Sequence, residues 1–276
     1  MAVALQSKTL FVPTAPDTFA PRLGAHTLLR EASVGVSASA DTTGGEKENA
    51  FAEGLTFDFW RPGTAGTHWL RASFGAARLS NYLGIAAHNL HQQGAVVKMQ
   101  HSTDGGVTWT DSSEDFLPAT SSPILILYTD VFAAEHRLLI VSTGAVSIGA
   151  VHFGEILALD APLAAPWKPP HLARENRYLN EMSEGGAFLG RTVIAEGAKL
   201  ELEIPGVGMV WARDKWEDTV RLIETRPFFF AARDAAAIGG VAEAEVFYGW
   251  AEDQPIIRYE QNVFGTLSLR ARGIVT

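Results

Sequence analysis

The sequence contains no cysteine among its 276 residues. A disulfide framework and a thiolate metal centre are both excluded. Positive charge is scarce: 22 Lys and Arg stand against 31 Asp and Glu, a net charge of −9. A broad nucleic-acid footprint needs a basic face, and an anionic membrane surface repels an acidic chain. No window reaches the roughly 18 consecutive apolar residues of a membrane span. The expectation is therefore neither nucleic-acid binding nor membrane insertion. The first residues, MAVALQSKTLFVPTAP, lack the long apolar core of a secretory signal, which points to synthesis in the cytoplasm. Internal repeats, low-complexity tracts and charge blocks are missing. So are a G-x-S-x-G elbow, a Walker loop, a dinucleotide fingerprint and an H-E-x-x-H pair.

What is present is β-rich. Apolar residues make up 47% of the chain, ample for a core, and charged residues 19%. Residues 82–109 read as strand, turn, strand and hairpin. In residues 95–101, Val96, Lys98 and Gln100 alternate with Ala95, Val97 and Met99, the period of a half-buried strand. Residues 55–60 and 67–74 read as two further strands, and residues 75–80 as a turn into the next. Residues 124–128, 137–142 and 145–159 are strong β runs, with a short helical turn expected at 130–135. Many short strands with polar turns suggest a sandwich or jelly roll. Pro162, Pro166, Pro169 and Pro170 mark the best connector. Beyond it, KLELEI at 199–204 alternates, and residues 211–224 form the one good helix, with Trp216, Val220 and Ile223 on one face. Arg226-Pro227 ends that helix.

The expected organisation is two β-sandwich-type domains. Residues 1–160 form the first, with an N-terminal arm. Residues 161–174 connect it to a smaller domain, residues 175–276, with one flanking helix. The arm is read as a loop packed on the domain surface or, alternatively, as docking on a neighbouring subunit.

Few residues point to chemistry. Ser102, Asp104, Gly106, Thr108 and Trp109 match the Asp-box pattern of sialidases. That motif recurs once per blade in a propeller, and here it occurs once, so its expected role is to pin a hairpin. His88, His91 and His101 lie close in sequence, yet no third ligand or carboxylate in metal-binding spacing accompanies them, and they are read as loop caps. Asp58, Asp130, Glu181 and Glu184 are candidate acids for glycoside hydrolysis, with nothing to place them across a cleft. Trp60, Trp69 and Trp109 could stack on sugars, but strand alternation favours core positions. Phe228, Phe229 and Phe230 are apolar on both strand faces, so they are buried between layers or form a candidate assembly surface. No cofactor, metal ion or catalytic residue is expected, and the chain is read as a non-enzyme.

Two resemblances cover most of the chain. FDFWRPGTAGTHWLRASFG at 57–75, followed by NYLGIAAHNL at 81–90 and the alternating strand and hairpin, resembles a discoidin-type, galactose-binding-like sandwich. The wider set of blocks, NYLGIAAHNL and GAVVKMQHSTDGGVTW, IGAVHFGEILAL, SEGGAFLGRTVI, TRPFFFAARD, EVFYGWAED and FGTLSLRARGI, resembles tailed-bacteriophage virion proteins of the tail or baseplate. Residues 231–234 depart from that pattern, which has a Trp and a Pro there. The resemblance implies a structural subunit located in the virion tail. It would assemble in rings with itself and with other tail or baseplate proteins. The alternative is a carbohydrate-binding module that decorates the virion or meets the host surface, with a glycan as partner.

Overall fold

The computed structural model describes residues 3–6, 20–52, 56–169, 173–232, 246–261 and 263–274. Its strands, in chain order, are β1 (Val3–Gln6), β2 (Arg22–Gly24), β3 (Gly35–Ala38), β4 (Gly66–His88), β5 (Val96–Ser102), β6 (Thr110–Asp111), β7 (Ile124–Ser142), β8 (Ile148–Gly154) and β9 (Leu157–Ala158). The second half adds β10 (Arg177–Met182), β11 (Phe188–Ala195), β12 (Gly197–Gly208), β13 (Phe228–Ala231), β14 (Val246–Ala251), β15 (Ile256–Gln261) and β16 (Phe264–Ile274). The fold is mainly β. A short helix, Leu28–Glu31, precedes β3, and one longer helical stretch runs through Met209–Trp211, Ala212–Trp216 and Glu217–Ile223, its middle segment a π-turn.

The first sandwich is built on two long strands. β4 and β7 pair antiparallel along almost their whole lengths, Gly66–Ser73 with Ser142–Glu135 and Arg78–Ile85 with Ala133–Ile124. The register shifts between Ser73 and Arg78, where the exposed residues 75–78 carry the ribbon over. The leading half of β4 is flanked by β3 and the matching half of β7 by β5. The trailing halves are flanked by β8 and by β1, which runs parallel to β7. Leu70, Val97 and Leu138 from one half share a buried cluster with Leu83, Ile126 and Val151 from the other. The two halves are therefore the facing layers of one sandwich.

This continuity corrects three expectations. Residues 67–74 and 82–87 are parts of one strand, not two. Residues 130–135 are strand, because β7 must bend with β4 rather than break. Residues 55–60 contribute no full strand: Trp60 makes an isolated bridge to Ile148, residues 56–58 bend, and residues 53–55 lie outside the described residues.

The second sheet has the order β12-β16-β14-β13-β2-β9, with β15 beside β16. Arg22–Gly24 and Leu157–Ala158 thus join the sheet of the second half, although both lie within residues 1–160. Residues 7–19 of the expected arm lie outside the described residues, as do Arg233 and Asp234 of the segment that departs from the virion-protein pattern. The helix lies as its periodicity predicts. Ala212, Trp216 and Ile223 are buried against Leu200, Leu202, Phe228 and Phe230, and Trp211 stacks on Trp216 at 6.2 Å. Pro205-Gly206 does not end β12. The strand absorbs it as an irregularity between Ile204 and Val207.

The Phe228–Phe230 run is the largest correction. All three rings are fully buried within the chain, so none offers an assembly surface. Phe228 and Phe230 enter the core beneath the helix. Phe229 points the other way and joins Tyr82, Ala86, Leu125, Leu127 and Ala150 of the first sandwich. Its ring lies where a side chain on Gly84 would be, within 2.6 Å of a Cβ built there. The strand is apolar on both faces because it is a middle layer, covered by the helix on one side and by the back of the first sandwich on the other.

Among the described residues, one element stands apart from both cores. β10 and β11 form a two-stranded ribbon, rooted where Arg174 and Glu175 pair with Ala198 and Gly197 beside β12. Each residue of β10 is exposed. Six residues at about 3.3 Å each project it about 20 Å.

Candidate functional site

Three surfaces hold the polar and aromatic groups that binding requires. The first is the Asp-box hairpin after β5. Gly105 and Gly106 take positive φ values of 76° and 87°, and the chain turns tightly around Asp104. The Asp104 carboxylate accepts from the Ser102 hydroxyl at 2.6 Å, the Thr108 hydroxyl at 2.6 Å and the Val107 and Thr108 amides at 3.0 Å. Hydrogen bonds from Ser102 and then Thr108 hold it well below the usual carboxylate range. Those bonds keep it an ionised acceptor at neutral pH, so it is no proton donor there.

Trp109 anchors the hairpin to the outer face of the first sandwich. Its indole N–H donates to the Gly106 carbonyl at 3.1 Å, and the Arg137 guanidinium lies 3.9 Å from its ring centroid. Arg71 reaches the same ring at 5.5 Å, and it donates to Glu135 at 2.6 Å and to the Gly105 carbonyl at 3.2 Å. Burial raises the Glu135 carboxyl, but hydrogen bonds from Arg71 and Ser73 outweigh it and hold the group below its ordinary value. Arg137 donates to Gln100, Gln100 to Asp111, and Lys98 pairs with Asp111 and Asp115. The groups of this network bond one another across the sheet face.

The tryptophans divide. Trp60 is fully buried, with its N–H on the Ala40 carbonyl at 3.0 Å. Trp69 and Trp109 are half-exposed on the outer sheet face, contrary to the core placement expected for them. The histidines do not converge on a ligand. His88 donates to the Ser122 carbonyl and His91 to the Pro118 carbonyl, while His101 meets the Ser112 hydroxyl. Burial drives the His88 imidazole down to about 4. Among the described residues no group of three His, Cys, Asp or Glu side chains is placed to hold a metal ion. Asp58 lies in the loop before Trp60, Asp130 on β7 bonded to Asn81, and Glu181 and Glu184 in the projecting hairpin and its turn. They share no cleft.

The second surface is a cleft of about 510 Å³ over β12, β16 and β15. Its floor carries Glu201 and Glu203 from β12 and Ser268 and Arg270 from β16. Its walls are Asp253, Gln254, Ile256 and Arg258 on one side and Ala164 to Lys168 on the other. The sheet supplies these groups by alternation: Leu200, Leu202 and Ile204 face the core, so Glu201 and Glu203 face out. The wall is pinned where the Ala164 amide donates to the Glu203 carbonyl at 2.9 Å. Trp167 packs against the core beneath, and its indole nitrogen is buried without a hydrogen bond. Residue-level reading missed this cleft. The alternation of KLELEI and LSLRAR was the available signal, but the wall comes from a loop distant in sequence.

The third surface is the hairpin. Tyr178, Met182, Phe188 and Val193 are exposed apolar side chains, and so are Leu179, Leu189 and Ile194. The pairing places Tyr178 opposite Val193 and Met182 opposite Phe188 on one face, and Leu179 on the other. Among the described residues, the Tyr178 ring meets the Arg191 guanidinium at 4.7 Å.

No protein-family model matches the chain, and no curated protein matches it. Among solved structures, chitosan-binding module 1 of a chitosanase/glucanase from Paenibacillus sp. IK-5 aligns over 47% of this chain and 99% of its own, with 20% identity and a TM-score of 0.38. The Clostridium perfringens module CpGH89CBM32-5, in complex with GalNAc-β-1,3-galactose, aligns over 47% and 100%, with 14% identity and a TM-score of 0.40. A GH29 fucosidase from Ruminococcus gnavus, in complex with fucose, aligns over 47% of this chain and 26% of its own, with 12% identity and a TM-score of 0.40.

Proposed function

We propose that this chain is a non-catalytic recognition subunit that binds carbohydrate and is held in a larger assembly. One observation carries the first half of that reading: an open cleft sets a tryptophan beside planar side chains that donate and accept hydrogen bonds. Sugars offer apolar C–H faces, which pack on aromatic rings, and hydroxyls, which need donors and acceptors together. The test is a glycan array probed with the whole chain. Binding to at least one class of oligosaccharide is the expected result, and a blank array backed by titration at millimolar concentration removes the reading.

The second half rests on the hairpin. A two-stranded ribbon is marginal in water, and this one, with no third strand among the described residues, exposes apolar side chains on both faces. That favours a partner that closes over it. The blocks that resemble tail and baseplate proteins give the finer reading, a virion subunit in a ring-like tail-tip or baseplate assembly. Heterologous contacts between neighbours build such rings. Light scattering should find concentration-dependent oligomers. The double variant Met182→Asp/Phe188→Asp should be monomeric, with its unfolding free energy unchanged to about 0.5 kcal/mol because neither side chain packs on the body. A chain that stays monomeric at high concentration, alone and with tail proteins, counts against assembly.

A further inference from the structure

We infer that the cleft over β12, β16 and β15 is the carbohydrate site and that it takes an uncharged oligosaccharide; this rests on the carbohydrate-binding reading above. The competing surface, the outer face beneath the Asp box, has little left to offer a ligand. Arg71, Arg137, Gln100, Lys98 and Asp111 are bonded to one another or to the hairpin, and Arg137 covers one face of the Trp109 ring.

The cleft is the reverse case. Among the described residues, the side chains of Glu203 and Arg258 have neither a hydrogen bond nor an ion pair, and both are exposed to the cleft. One is an acceptor and the other a donor, both available. Trp167 adds an aromatic ring to the wall of the cleft. Its ring is held by the core, so ordering it on binding costs little entropy.

The charge inventory selects the ligand. Lys168, Arg258 and Arg270 line the cleft together with Glu201, Glu203 and Asp253, three groups of each sign, with Arg270 paired to Asp253 and Glu201 to Lys199 outside it. A phosphate, sulfate or uronate chain would meet three carboxylates, and a polyamine or amino-sugar chain would meet three cations. Neither gains net attraction, and each brings a desolvation cost. A sugar hydroxyl donates and accepts, so neighbouring hydroxyls can bridge a carboxylate and a guanidinium at once. Glu201 and Glu203 stand about 7 Å apart along the strand face, a span that requires more than one hydroxyl. The volume of about 510 Å³ is that of a small-ligand site and accommodates a short oligosaccharide.

The experiment is calorimetric titration of the whole chain with three panels of equal chain length: uncharged gluco-, galacto-, manno- and xylo-oligosaccharides, oligogalacturonates, and chitosan oligosaccharides. At least one uncharged chain should bind, and both charged panels should bind about tenfold more weakly or worse. Glu203→Ala and Arg258→Ala, exposed positions without partners in the fold, should each weaken the uncharged ligand by about tenfold. Trp167→Ala should weaken it further. If no panel binds, the carbohydrate reading itself falls. If only a charged panel binds, that reading stands and the inference is overturned. If uncharged chains bind but Glu203→Ala and Arg258→Ala leave affinity unchanged, or Trp69→Ala alone abolishes it, the site assignment is overturned.

Discussion

Phe229→Ala is expected to lower the unfolding free energy by about 3–5 kcal/mol, the range for a fully buried phenylalanine whose cavity cannot collapse. The ring sits at the seam between the first sandwich and the second sheet. It meets Tyr248 at 4.5 Å and His152 edge-on at 5.3 Å, and it lies on Gly84. Two rigid sheets hold that space open, so relaxation cannot recover much of the loss. Gly84→Ala makes the complementary test. Its new methyl would stand 2.6 Å from the Phe229 ring and should cost about 1–3 kcal/mol through overpacking. Combined, the two substitutions should cost less than their sum, because the methyl then enters the vacated space. Urea unfolding of the two single variants and the double variant reads all three quantities. Strict additivity, or a cost below about 1 kcal/mol for Phe229→Ala, would show that the seam is not a packed interface.

Acidification from pH 7.5 to pH 5 is expected to remove about 2 kcal/mol for each of two buried histidines. Burial pushes His152 down to about 3, assisted by the positive charges of Arg30 and Arg226, and burial pushes His88 down to about 4. Both imidazoles are neutral in the fold and free to protonate in the unfolded chain, whose value is near 6.5. Above pH 6.5 neither state binds the proton, and the full stability is present. Between 6.5 and the folded values the unfolded chain takes up protons that the fold refuses, so stability falls with pH. Protonated carboxylates do not account for this window, because Glu135 and Glu31 start from 4.5 and are held lower in the fold. Substituting His88→Gln keeps a donor for the Ser122 carbonyl and removes the titration. It should remove part of the pH-dependent loss, read as urea midpoints at the two pH values, and less than half of it, because burial also holds His136 and His101 below their ordinary value. Equal midpoints at pH 5 and pH 7.5 in the unmodified chain would refute the assignment.

These two effects arise where local and non-local information part. The Asp box is legible because all its partners lie within a few residues: Asp104 meets Ser102, Val107 and Thr108, and two glycines supply the turn. The helix is legible for the same reason, since Trp216 and Ile223 share a face by spacing alone. By contrast, Trp60 and Trp69 both lie in segments that alternate, yet one is in the core and the other on the outer face. Alternation tells which residues share a face and is silent on what lies over it.

The sequence by itself determined that this protein is mainly β, acidic, free of thiol chemistry and pinned at one hairpin. Those properties depend on composition, on period and on turn residues, all of which act over short distances. The tertiary structure alone decided that β4 is one strand bent over two layers, and that Arg22–Gly24 completes the sheet of the second half. It also decided that Phe228–Phe230 is an internal layer, and that Glu203 and Arg258 face each other's cleft with Trp167 in its wall. Each of these depends on contacts between segments far apart in sequence. Only the closing of the chain decides whether an apolar face meets another sheet, a helix or solvent.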